Sequence, residues 1–194
     1  PYIGKRKAGT VGIVLEDVEI RIADLEIEDE FKKNGDIGVV EVKGPNVFKG
    51  YWKKPEKTKC EFRDDGYFIT GDMGFLDQDK YLTIVGRNKD LIITGGLNVY
   101  PNEIETVIDQ DSKVDESAVV GVPHPDFGEG ILAIIVEKKG HSINIDFLNE
   151  TLRKNLAAFK LPKKIHVIKE LPRNSMGKVQ KNLLRDIYLS LIHI

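Results

Sequence analysis

The sequence predicts a mixed α/β chain in two parts: a β-rich, barrel-like stretch over residues 1–88, then a small α+β domain over residues 89–188. Two observations carry this. Up to Arg87 the apolar residues come in short runs punctuated by Gly, Asn and Asp turn signals. Beyond Leu91 such runs are interleaved with segments whose apolar residues recur at helical spacing. Hydrophobic residues make up 41% and charged residues 31%, enough for a real core, so a disordered tail is excluded.

Residues 11–15 and 18–22 read as strands, the second alternating apolar and polar side chains as a half-buried strand does. Residues 24–33 form a charged excursion, Asn34-Gly35-Asp36 a turn, and residues 37–42 a third strand. The run from Gly44 through Phe48, Tyr51 and Trp52 predicts a corner packed with rings. Asp64-Asp65-Gly66 predicts a hairpin turn between strands at 60–62 and 67–69, the second running into Thr70-Gly71-Asp72. Strands near 74–76 and 81–85 turn at residues 77–80 and end in Gly86-Arg87. Asp72 and Arg87 are thereby both expected at strand ends, a place where a β-scaffold presents ligand contacts.

After residues 88–90 the pattern changes. Leu91-Ile92-Ile93 leads to Thr94-Gly95-Gly96, and Pro101 opens a helix with Ile104, Val107 and Ile108 on one face. Strands follow at 117–122 and 131–136, then a helix at 145–156 with Ile145, Leu148, Leu152 and Leu156 in register. Residues 164–168 predict a strand and a last helix starts near Lys181. Between these two lies Pro172-Arg173-Asn174-Ser175-Met176-Gly177-Lys178. Glycine lets this loop bend and puts one lysine at its tip, a compact charge suited to a phosphate or carboxylate oxygen. Taken alone, the loop also reads as routine basic surface.

Several function classes are excluded or disfavoured. A net charge of −2 gives no electrostatic case for nucleic acid or a membrane surface. Cys60 is the only cysteine, so no internal disulfide or cysteine-rich zinc site exists. His124, His141, His166 and His193 lack metal-ligand spacing. His124-Pro125-Asp126-Phe127-Gly128-Glu129 reads as a structural turn, and Lys138-Lys139 and Lys163-Lys164 as solvated charge. No apolar run reaches membrane-span length and no signal peptide is evident, so a cytoplasmic location is expected. The chain opens at Pro1 without an initiator methionine and closes on an apolar run at 189–194, which suggests a gene piece with non-native last residues.

The ordered set Gly50-Tyr51, Pro55-Glu56-x-Thr58, Thr70-Gly71-Asp72, Gly86-Arg87 with Lys89-Asp90, Gly95-Gly96, Pro101-x-Glu103-Ile104-Glu105, Gly121-Val122-Pro123 and Gly177-Lys178 resembles the adenylate-forming acyl-CoA synthetases over residues 8–188. The wording around Gly44–Trp52, Phe62–Gly66 and Thr94–Pro101 is most similar to bacterial malonyl-CoA synthetases. The resemblance implies that residues 1–88 end the large adenylation domain and that 89–188 form its small mobile domain. It implies that Asp72 and Arg87 hold the ribose hydroxyls of ATP, with Ile84 against the nucleoside. It further implies that Lys178 bridges the acid carboxylate and the α-phosphate, with Mg2+ carrying further phosphate charge. By the same resemblance Lys89 would be the hinge between half-reactions, and Gly95 and Gly96 would line the passage for the CoA pantetheine. The implied reaction joins malonate and ATP to malonyl-AMP, then transfers malonyl to CoA.

The family's Thr/Ser/Gly-rich phosphate loop does not occur in these 194 residues, nor do the acid-recognition segments. The chain alone is therefore expected not to turn over. Another carboxylic acid, a carrier-protein acceptor, or a non-catalytic nucleotide- or CoA-binding module stay open as alternatives.

Overall fold

A computed structural model of the chain describes residues 5–25, 27 and 30–192. The residues fall into two compact units, one ending at Lys89 and the other starting at Asp90.

The first unit is a five-stranded antiparallel sheet of β1 (Gly12–Ile13), β2 (Glu19–Ala23), β3 (Gly38–Lys43), β4 (Phe68–Leu76) and β5 (Tyr81–Arg87), in the order β1-β5-β4-β3-β2. The sheet is open, with β1 and β2 as its edges, rather than closed into a barrel. Alternation puts Ile22, Val40 and Leu82 in its buried cluster, with Ile20, Val42, Leu76 and Ile84 packed against them. Glu41 on β3 is fully buried and held by Arg21 and Arg63, whose Nε atoms lie 2.7 and 2.8 Å from its two oxygens.

Two expectations change here. Residues 60 and 61 end a helix, α1 (Pro55–Glu61), instead of forming a strand. Pro55 is pre-set for the first helical turn, and Glu56 and Lys59 suit its two ends, a signal stronger than the short apolar pattern. The turn at residues 64–66 is kept, closed by the Arg63 N–H to Tyr67 O at 2.8 Å, but beyond it only the single bridge from Phe62 to Phe68 pairs the two sides. The two strands drawn at 67–69 and 74–76 are one continuous β4, so Asp72 lies inside a strand and not at its end. The aromatic corner is built by Phe48, which meets Tyr51, Phe62 and Phe68 edge to face at 5.0–5.4 Å; Trp52 stays out in solvent.

The second unit opens with a small hairpin, β6 (Ile92–Thr94) and β7 (Leu97–Val99), followed by α2 (Pro101–Ile108). A long antiparallel pair, β8 (Val114–His124) and β9 (Gly128–Glu137), dominates its sheet; β9 also meets β6 through Thr94 and Gly128, while β8 pairs with β9 alone among the described residues. After α3 (Ile145–Asn155), β10 (Lys164–Ile168) returns parallel to β9. The chain then runs through the Lys178 loop into α4 (Lys181–Ile192). Asn144 starts α3 cleanly, its side chain accepting the N–H groups of Asp146 and Phe147 at 3.0 Å each.

Helices on both faces explain the unbroken apolar run of β9. Ile131, Ala133 and Ile135 face the cluster shared with Ile104, Ile108, Leu148 and Leu152 of α2 and α3. Leu132, Ile134 and Val136 face the cluster shared with Leu184 and Tyr188 of α4. Each of these buried Ile, Leu and Val side chains contributes about 1.5–3 kcal/mol.

No helix among the described residues is long and apolar enough to cross a membrane. The helix α4 continues through residues 189–192, while 193–194 lie outside the described residues. The same holds for residues 1–4 of the opening loop and for 26, 28 and 29 of the charged excursion.

Candidate functional site

The first unit brings Thr70, Asp72, Ile84 and Arg87 together on one hairpin. β4 and β5 pair Asp72 directly with Arg87, and Arg87 Nε lies 2.9 Å from Asp72 Oδ1. Met73 faces Gly86 and Gly74 faces Ile84, so Val85 is an extra residue on β5. Strand alternation would put positions 84 and 87 on opposite faces; the bulge restores them to the same one. Ile84 is half-buried at the edge of the sheet core, and the Asp72–Arg87 pair continues that face toward solvent.

Thr70 holds this arrangement. Its hydroxyl donates to Val40 O at 2.8 Å and accepts the Asp72 N–H at 3.0 Å, while its carbonyl accepts from Arg87 at 3.3 Å. Asp72 Oδ2 has no hydrogen bond among the described residues, and the Arg87 side chain is 52% exposed. A free carboxylate oxygen beside an exposed guanidinium fits a vicinal diol, whose O–H groups donate to one and accept from the other. Sequence reasoning missed the Thr70 side chain and the bulge; a threonine two residues before an aspartate is the local turn signal that points to it.

Lys89 lies exposed in a 3₁₀ turn, Asn88–Asp90, where the two units divide. In the second unit Gly95 and Gly96 form the two-residue turn of the β6–β7 hairpin, with φ of +58° and +77°. Both being positive is the primed-turn geometry that glycine supplies without strain. A Cβ at Gly96 would meet nothing within 4 Å, so packing within the chain does not require that glycine. Glu129, expected only as part of a turn, accepts the Ile93 N–H at 2.7 Å and ties β9 to this hairpin.

The Lys178 loop is preformed. Asn174 Oδ1 accepts the N–H groups of Met176 and Lys178 at 3.0 and 2.9 Å. Its N–H donates to Lys178 O at 3.0 Å, its carbonyl accepts from Gly177 at 2.9 Å, and Gly177 turns with φ of +77°. The neighbouring cations are engaged: Arg173 with Glu116 and the Gly177 carbonyl, Lys181 with Glu105. The Lys178 side chain is exposed and has no partner among the described residues. A lysine held by its backbone with its ammonium unspent is available to an anion.

Residues 103–178 match the family model of the AMP-binding enzyme C-terminal domain. Over 98% of this chain, and 38% of the neighbour, the fold superposes on ATP-bound MatB from Rhodopseudomonas palustris with a TM-score of 0.91 and 55% identity. The chain belongs with the C-terminal part of the adenylate-forming acyl-CoA ligases. A probable CoA ligase of Humulus lupulus is 42% identical over 95% of the chain, and a long-chain-fatty-acid–CoA ligase of Salmonella typhimurium 40% identical over 92%. The chain spans about a third of the length of these curated relatives, 32% and 31%. Every ligase-family residue singled out from the sequence is among the described residues of this segment. Asp72, Ile84 and Arg87 lie in its first unit, and Gly95, Gly96 and Lys178 in its second.

Proposed function

We propose that this chain is the C-terminal part of a malonate–CoA ligase. A malonate carboxylate oxygen attacks the α-phosphorus of ATP, the bond to pyrophosphate breaks, and malonyl-AMP forms. The CoA thiolate then attacks the acyl carbon and AMP leaves. The observation that carries the reading is the Asp72–Arg87 pair, one oxygen of Asp72 unpaired among the described residues and Arg87 exposed, on the face that also carries Ile84. In this role Asp72 accepts from the ribose hydroxyls, Arg87 donates to them, and Ile84 backs the nucleoside.

Lys178 meets the charge that builds on the equatorial oxygens during adenylation; such a donor in a closed site contributes roughly 3–4 kcal/mol. Lys89, at the division between units, is the hinge that exchanges the adenylation pose for the thiol-transfer pose. The Gly95-Gly96 turn, with no Cβ to narrow it, borders the pantetheine passage. Mg2+ is the expected companion of ATP. The described residues contain no cluster of three or more His, Cys, Asp or Glu side chains fit to hold it.

Malonate is supported by the similarity of the framework segments at 44–52, 62–66 and 94–101 to malonyl-CoA synthetases. The 40% identity to a long-chain-fatty-acid–CoA ligase supports a second reading, another acid on the same machinery. An acid panel separates them: CoA-dependent AMP release by the full-length ligase is expected to be fastest with malonate. A preference for a long-chain or aromatic acid would overturn the malonate assignment and leave the adenylation roles standing.

A further inference from the structure

Lys178 projects freely, yet the chain immediately after it is clamped. Lys181, the first residue of α4, places its ammonium 2.6 Å from Glu105 Oε1, and the two side chains are only 20% and 15% exposed. Glu105 is itself fixed, since the same oxygen accepts the Val119 N–H of β8 at 2.7 Å. One helical turn on, Arg185 donates to Asp90 Oδ1 at 3.0 Å, so two positions four apart anchor the same face of α4. Between the clamp and Lys178 stand only Val179, bridged to Arg173, and Gln180, whose N–H donates to Pro172 O at 2.8 Å.

We propose that Lys181 is a positioning residue for Lys178, with Glu105 as its anchor. The pair sets the point and direction from which the Lys178 ammonium leaves the second unit. Lys181 is not a second phosphate ligand, because its charge is already met by Glu105 in a mostly buried contact. The inference rests on the adenylation role of Lys178 given above. It predicts an effect confined to the half-reaction that uses Lys178, which general loosening of the fold would not produce.

The test compares Lys181→Met and Lys181→Arg in the full-length ligase, with the half-reactions measured separately. Malonate-dependent pyrophosphate release reports adenylation, and CoA acylation from supplied malonyl-AMP reports transfer. Lys181→Met is expected to lower the adenylation kcat on the order of tenfold to a hundredfold, the scale of an ångström misplacement, with the ATP KM little changed. Acylation from malonyl-AMP stays near its parent rate, and Lys181→Arg, which keeps the ion pair, recovers most of the loss. Equal losses in both half-reactions, or none in either, would overturn the proposal. Lys178→Ala is run beside them. If it slows adenylation and Lys181→Met does not, the positioning role alone fails; if it leaves adenylation intact, the role of Lys178 fails and the positioning role with it.

Discussion

Arg87 Nε stands 2.9 Å from Asp72 Oδ1 because β4 and β5 pair the two residues and Val85 adds one position to β5. Asp72 Oδ2 has no partner among the described residues and Arg87 is tied back to the Thr70 carbonyl, so both groups are oriented before any ligand arrives. Asp72→Asn keeps the shape and removes the charge. Hydrogen bonds to a charged acceptor are worth about 1.5–3 kcal/mol, so the ATP KM of the full-length ligase is expected to rise on the order of tenfold to a hundredfold. Steady-state kinetics with varied ATP check this; an unchanged KM would remove Asp72 from the ribose site.

The buried Glu41 accepts from Arg21 and Arg63 at 2.7 and 2.8 Å. Glu41→Ala leaves two partly buried guanidinium groups without their shared partner. The expected loss is about 3 kcal/mol of stability, read from urea unfolding followed by the fluorescence of the first unit's rings. A change under about 0.5 kcal/mol would mean that the network is ornamental to folding.

Asp65 takes a hydrogen bond from Arg21, and Asp77 one from Lys7; these bonds hold both carboxyls below their ordinary value of 3.8. A folded value below the unfolded one gives stability that is present above pH 3.8 and lost as pH falls through the lower folded value. The Asp65→Asn, Asp77→Asn double variant should therefore melt below the parent near neutrality. The gap should close as the pH drops beneath 3.8, and a gap that widens on acidification contradicts the assignment.

Gly96 has φ of +77° and open space where a Cβ would point. Gly96→Val is expected to destabilise the β6–β7 turn by roughly 1–2 kcal/mol through backbone strain alone. In the full-length ligase the same variant should slow CoA acylation and spare pyrophosphate release. Equal slowing of both would argue against a passage at this turn.

Much of the second unit was legible because its periodicities are strong. Ile104 and Ile108, Leu148 and Leu152, and the unbroken run from Ile131 to Val136 each declare a buried face. The first unit was less so. The seven-residue α1 is too short to show an apolar stripe and buries no residue, leaving only Pro55 and the end charges of Glu56 and Lys59 to announce it. β7 went unread since Leu97 and Asn98 are exposed and carry no alternation. Among the candidate site residues, Asp72, Arg87 and Lys178 were legible as motif members. The bulge at Val85 and the Glu105–Lys181 pair were not, because each depends on a partner distant in sequence; of the two Thr70 hydroxyl contacts, the one to Asp72 is local and the one to Val40 is distant.

The most direct test of the adenylation role is the Lys178→Ala variant of the full-length ligase, assayed in separate half-reactions. Malonate-dependent pyrophosphate release is expected to fall on the order of 10²–10³-fold, the cost of one oxyanion donor. CoA acylation from supplied malonyl-AMP should proceed near the parent rate. Undiminished pyrophosphate release would contradict the role given to Lys178.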